Sequence, residues 1–172
     1  RKKPFGPRWI FGEEDKRQLA EVIDNANAQF AEAGRPSAFG LRSHIVMRDT
    51  EEEAWAASEE LLSRAEKTVQ TQRQALFAGT AMVGQRGQIQ KAENHRLGAH
   101  LWNGISTVRV NCGTALVGTP EQVADELLAY WQLGIDEFIL SGFPHVEECH
   151  RVSGQVLPLL RHRIAASPTV PA

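Results

Sequence analysis

The chain has 172 residues, the size of one domain or of part of a larger one, with 42% apolar and 23% charged residues. Its net charge of −2 argues against a general affinity for nucleic acid or an anionic membrane surface, and the basic start Arg1-Lys2-Lys3 is too short to change that. No apolar run approaches the ~20 residues that span a bilayer, the amino terminus lacks the apolar stretch of a secretory signal, and a cytoplasmic protein is expected.

Residues 1–15 mix Pro, Gly, aromatic and charged residues without a period and receive no assignment. From Lys16 a helix is predicted, with Leu19, Val22, Ile23, Ala26 and Phe30 on one face and Gly34 and Pro36 ending it. Ala38 to Met47 reads as a strand in which Arg42 and His44 interrupt the apolar run. Asp49-Thr50 caps a second helix whose first turn holds Glu51, Glu52 and Glu53, where the helix dipole favours anions. It carries Ala54, Trp55, Ala57, Leu61 and Leu62 inward and is expected to reach about Ala75. Residues 76–100, rich in glycine and polar groups, read as an insertion.

Thr114 to Gly118 is a short apolar strand. Thr119 follows as N-cap and Pro120 as first helical residue, a position where the missing N–H is harmless. Val123, Leu127, Leu128 and Trp131 line that helix and Gly134 closes it. Ile135 to Leu140 makes a third strand, residues 141–145 a loop, and a last helix places Val146, Cys149, Val152, Val156 and Leu160 on its inner stripe. Cys112 and Cys149 lack any metal or C-x-x-C spacing and are expected to be packing thiols of a reducing compartment.

Strands alternating with helices predict a parallel α/β sheet, either open and doubly wound or a (β/α)8 barrel. Three visible strands make a poor core, and a whole barrel takes about 250 residues. The chain is therefore expected to be a piece of a larger domain, with 1–15 unassigned, 16–163 a partial barrel containing an insertion and loop over 76–110, and 164–172 a tail.

Particular segments add to this. Gly113-Thr114-Ala115-Leu116-Val117-Gly118-Thr119-Pro120-Glu121-Gln122-Val123-Ala124 resembles a late strand and helix start of the bacterial luciferase-like flavin monooxygenases. Leu133-Gly134-Ile135-Asp136-Glu137-Phe138-Ile139-Leu140, continuing into Ser141-Gly142-Phe143-Pro144-His145-Val146-Glu147-Glu148, is similar to the final strand and loop of their alkanesulfonate monooxygenase branch. Phe39-Gly40-Leu41-Arg42-Ser43-His44, followed by Asp49-Thr50-Glu51-Glu52-Glu53-Ala54-Trp55, resembles a third segment of that branch, in the same chain order. The resemblance covers about Lys16 to Arg161, thinly within 64–98. It implies the carboxy-terminal portion of a (β/α)8 barrel with an insertion before the penultimate strand, and places the flavin-phosphate loop upstream of Arg1.

The resemblance also implies an activity: oxidation of an organosulfonate by O2 to an aldehyde and sulfite. The cofactor would be reduced FMN (FMNH2), supplied by an NAD(P)H-dependent flavin reductase, with the full-length parent a homo-oligomer and this piece inactive alone. It makes Arg42 and His44 active-site residues near the flavin. They stand at i and i+2 of one strand, so their side chains share a face; the alternative puts both on the outer face of an edge strand. Arginine keeps a fixed positive charge and histidine shuttles protons near neutrality. Arg109 would close a mobile loop, of which Leu101-Trp102-Asn103-Gly104 is part, over the sulfonate; the alternative is a solvated arginine. Ser141 and Gly142 would bring backbone close to ligand, unless they form a plain turn. Phe143 stands where that branch commonly has tyrosine, keeping the ring and losing the donor. His145 reads as a helix-start residue. No metal cluster, P-loop lysine or GxGxxG is present. Two other readings stay open: a family member with a different substrate, such as a sulfone, an alkane or an F420-linked one, and a flavin-free chain acting only as an interaction surface.

Overall fold

β2 (Phe39–Met47) is the axis of the molecule: every residue but Arg42 is buried. A strand this continuously covered belongs at the centre of a parallel sheet. The computed structural model describes residues 9–11, 16–64, 95–108 and 113–167. In chain order the other elements are β1 (Trp9–Phe11), α1 (Lys16–Glu32), α2 (Glu51–Ser63), β3 (Leu101–Trp102), α3 (Gly104–Val108), β4 (Ala115–Gly118), α4 (Pro120–Gln132), β5 (Glu137–Gly142), α5 (His145–Arg151), a π-helical turn (Val152–Val156) and α6 (Leu157–Ala166).

β5 pairs in parallel with β2 from Gly40↔Glu137 to Ile45↔Gly142. On the other edge β1 lies beside Phe39–Leu41 and β4 beside His44–Met47, both parallel to β2. β3 adds an antiparallel strand outside β4. The long strands thus run β5-β2-β4, whereas successive barrel strands would run β2-β4-β5. With three long strands available, this order gives the most apolar one two neighbours. Right-handed crossovers then send α2 and α4 to opposite faces.

The faces separate by alternation. Leu41, Ile45, Met47 and Leu116 meet α1, α4 and α6 through Leu19, Ile23, Val123, Leu127, Tyr130 and Leu160. Val46, Ala115 and Val117 meet Ala54, Trp55, Trp102 and Ile105. Thr50 and Thr119 each form a reciprocal capping box, with Glu53 and Gln122 respectively. Gly134 takes φ +101° after α4, a conformation that favours glycine.

Several expectations are corrected. Two further strands exist, β1 from the unassigned segment and β3. α2 closes at Ser63 with Arg64 as its C-cap; the continuation to Ala75 lies outside the described residues. β5 does not stop at Leu140 but runs through Ser141 and Gly142. Leu101-Trp102-Asn103-Gly104, expected in a mobile loop, instead forms β3 and the start of α3, with Trp102 and Asn103 buried. Val22 points outward. The last helix is three pieces, and on α5 it is Glu148 that faces inward, while Val146 and Cys149 are exposed. The π turn adds a residue to one turn and shifts the stripe, so a single helical period misassigns its first half. Cys149 is therefore no packing thiol, and Cys112 lies outside the described residues.

Candidate functional site

The functional candidates gather where β2 and β5 run side by side. His44 and Ser141 are register partners, and Ser141 Oγ and His44 Nδ1 share a hydrogen bond of 2.9 Å. Neighbouring parallel strands put such partners on one face, and a side-chain bond follows without any loop to arrange it. His44 is 3% exposed. Phe143 stacks on its ring with centroids 5.7 Å apart and planes 16° from parallel. His145 packs in turn against Phe143 at 4.5 Å. The Phe143–Pro144 peptide is cis.

Arg42 shares the face of His44 two residues back, roughly 6–7 Å along the strand, and is exposed. Ile139, its register partner on β5, is 46% exposed. The face therefore changes along its length: a buried imidazole near the carboxyl ends of the strands, then an open guanidinium beside an open apolar side chain. A fixed cation, a hydrogen-bonded imidazole and an aromatic ring on one face suit a planar, anionic group. Residues that would hold such a group are Arg42, His44, Ser141 and Phe143.

On the opposite face, under Gly142, lies a buried ionic group. Glu148 is 1% exposed. Its Oε1 accepts from Arg48 Nη1 at 2.6 Å and lies 3.9 Å from Arg151 Nη1. Both arginines also donate to the Met47 carbonyl, at 2.5 and 3.1 Å. A cavity of about 640 Å³ beside them is lined by Met47, Arg48, Asp49, Glu53 and Arg151 among others. A second, of about 420 Å³, lies between β5 and the final helical segment, lined by Phe138, Leu140 and Val152 among others. Neither is lined by His44 or Arg42. Away from these, the Gln122 side-chain amide donates to Glu51 at 2.7 Å. That bond first, then one from the Trp55 indole, holds the Glu51 carboxyl below its ordinary 4.5. No group of three or more metal-ligating side chains occurs among the described residues, and none of their helices is long and apolar enough to cross a membrane.

Of the six residues singled out by sequence, His44, Ser141 and Phe143 come together, while Gly142, next to Ser141, faces Glu148 on the other side of the sheet. Arg42 lies on the face of His44 but opens outward, and Arg109 falls outside the described residues. Glu148, Arg48 and Arg151 were missed, because a carboxylate in a Glu-Glu pair at a helix start reads as solvated. Gly142 would have signalled the close approach only once the strand was known to reach it.

The model of the family described as luciferase-like monooxygenase matches residues 6–137, more than half of the chain. The chain belongs to the luciferase-like monooxygenase family. Solved structures of similar fold include a riboflavin lyase with modified FMN and riboflavin (TM-score 0.67, 20% identity), which covers 97% of this chain and 41% of the lyase. DmoA from Hyphomicrobium sulfonivorans (0.65, 22%) covers 91% of this chain and 37% of its own. EDTA monooxygenase from Chelativorans sp. BNC1 (0.59, 22%) covers 95% and 43%. The chain thus spans about two-fifths of the length of these proteins. It is a partial luciferase-like barrel in which the described strands form an open sheet.

Proposed function

We propose that this chain contributes part of the active site of an FMN-dependent monooxygenase that oxidises an organosulfonate. The overall change uses FMNH2 and O2 and yields an aldehyde, sulfite, oxidised FMN and water, with FMNH2 delivered by an NAD(P)H-dependent flavin reductase. The observation that carries this reading is the His44–Ser141–Phe143 cluster on the face that also bears Arg42. The resemblance of the segment from Ser141 to Glu148 to the alkanesulfonate branch supports the substrate class.

Bound FMNH2 would supply the electrons that activate O2. Arg42 would hold negative charge on the cofactor or the sulfonate, its guanidinium remaining protonated at every working pH. His44 would exchange a proton at Nδ1 with the Ser141 hydroxyl, the ring held in place by Phe143. Arg109 would bind the sulfonate oxygens from a closing loop.

The test uses the full-length parent with reduced FMN and a series of alkanesulfonates, following sulfite release. Arg42→Ala is expected to lower kcat/KM by about 10²–10³-fold, the usual effect of removing one charge-stabilising group. Absence of sulfite with every sulfonate ends the substrate claim. Wild-type turnover in Arg42→Ala ends the role given to Arg42.

A second reading rests on Phe143. Its ring offers no hydroxyl to a polar head group, and two of the similar solved structures are a riboflavin lyase and a long-chain alkane monooxygenase. A sulfone, alkane or other non-sulfonate substrate is the alternative, and a panel of these assayed beside the sulfonates separates the two.

A further inference from the structure

We infer that Glu148 is a positioning residue for His44, acting through Gly142 and the end of β2 from the opposite side of the sheet. The inference deepens the oxygenase reading and rests on it for its consequence in catalysis, but its geometry stands alone.

β5 alternates, so Ser141 faces His44 while Gly142 faces the other way. A Cβ on Gly142 would lie 2.6 Å from Glu148 Cβ and 2.9 Å from the Ile45 carbonyl oxygen. The side chain of Glu148 therefore occupies the space that a side chain at 142 would take, directly behind the residue pair that carries the His44–Ser141 bond. From there its carboxylate reaches Arg48, the residue after β2, and Arg48 closes the loop onto the Met47 carbonyl. The other end of the strand pair is pinned too: Asp136 accepts from the Phe39 amide at 3.0 Å and returns its own N–H to the Phe39 carbonyl at 2.8 Å. Between these two pins the relative height of β2 and β5 is fixed, and with it the 2.9 Å contact of Ser141 on His44.

Stability is a poor reason for such an arrangement. Burying a carboxylate carries a desolvation penalty that its ion pair barely offsets, and well-packed apolar residues of similar volume commonly do as well or better. Glu148 also leaves Oε2 buried with no hydrogen-bond partner among the described residues, a further penalty. What the ionic group supplies and apolar packing does not is a directed link between α5 and the last residues of β2.

The test is the Arg48→Met/Glu148→Met double variant in the full-length parent, which removes both charges and keeps the volume. Expected is a Tm equal to or above wild type, while the His44 ring nitrogens, followed by 15N NMR, move away from their wild-type shifts. With the substrate that the parent turns over, kcat falls on the order of 10²-fold, the effect of a misplacement near 1 Å, with KM changed less than kcat. A purely structural role predicts altered Tm with His44 shifts and kcat as in wild type, and that result overturns the proposal. If the double variant does not fold, Arg48→Lys decides, since Arg48 keeps part of its surface in solvent: displaced His44 signals support the proposal and wild-type signals overturn it. The NMR readout needs no turnover, so displaced His44 signals in a protein that oxidises nothing would refute the oxygenase reading alone.

Discussion

At the residue scale the proposed chemistry rests on one imidazole, and two neighbours of different kinds touch it. Ser141 orients His44 through a directed bond and Phe143 through ring contact. Removing the hydroxyl leaves the stack but takes one directed bond away from the ring. Ser141→Ala is expected to lower kcat about tenfold, the rate equivalent of one hydrogen bond of roughly 1–1.5 kcal/mol, and to lower Tm as well, since a buried ring nitrogen loses a partner; wild-type kcat would show that the bond orients nothing. Phe143→Tyr asks the complementary question. The ring and its stack persist, so stability should stay within about 0.5 kcal/mol, while the added donor should raise kcat/KM for substrates with an anionic head group. Steady-state kinetics on a sulfonate and an apolar substrate measure the difference, and an equal response from both would remove Phe143 from specificity. In the sequence, strand alternation put Arg42 and His44 on one face, while Ser141, Gly142 and Phe143 were singled out only through the family resemblance. The sequence did not show Arg42 opening to solvent, since exposure depends on what covers a face and not on spacing within a strand.

At the element scale, helix starts were legible and helix faces less so. Thr50 and Thr119 cap their helices with a partner three residues on, a signal contained in four consecutive residues. The last helix defeated the same style of reading: the π turn at Val152–Val156 separates two stretches whose inner stripes do not share one period. The buried residue Glu148 was also of the type that periodicity counts as outward. The extension of β5 to Gly142 depends on pairing with β2, a partner 97 residues away in sequence. A link between helix starts yields a prediction in pH. Glu51 at the start of α2 accepts from Gln122 at the start of α4, and its carboxyl is held below 4.5, by that bond first. A carboxyl whose folded value is depressed stabilises the fold above its unfolded value and loses that contribution as pH falls through the folded one. Urea midpoints should therefore decline more steeply below pH 4.5 in the wild type than in Glu51→Gln. Parallel curves would mean that the bond to Gln122 adds nothing to the fold.

At the scale of the whole molecule, the two faces of the sheet are unequal. One is covered along its length by α1, α4 and α6. The other is covered near β4 by α2 and α3 but leaves Arg42 and Ile139 exposed beside β2 and β5. Parallel sheets are ordinarily buried on both faces, and this chain spans about two-fifths of the proteins whose fold it shares. On the proposed function, the open part of the face is where the rest of a barrel and its flavin would sit, with Arg42 turned toward the cofactor. Sequence length and strand count indicated a missing portion, but which strand edges stay free depends on the β5-β2-β4 order, which no local pattern encodes. Hydroxyl-radical footprinting makes the idea measurable: Ile139 should be labelled in the isolated chain and protected in the full-length parent. In the parent, Ile139→Ser should lower stability by about 1.5–3 kcal/mol, the value of a buried isoleucine side chain, while FMN titration of the isolated chain should give weak binding or none. Equal labelling of Ile139 in both proteins would mean that this face is solvent-facing in the complete molecule. Arg42 would then stand too far from any enclosed cofactor to stabilise charge on it.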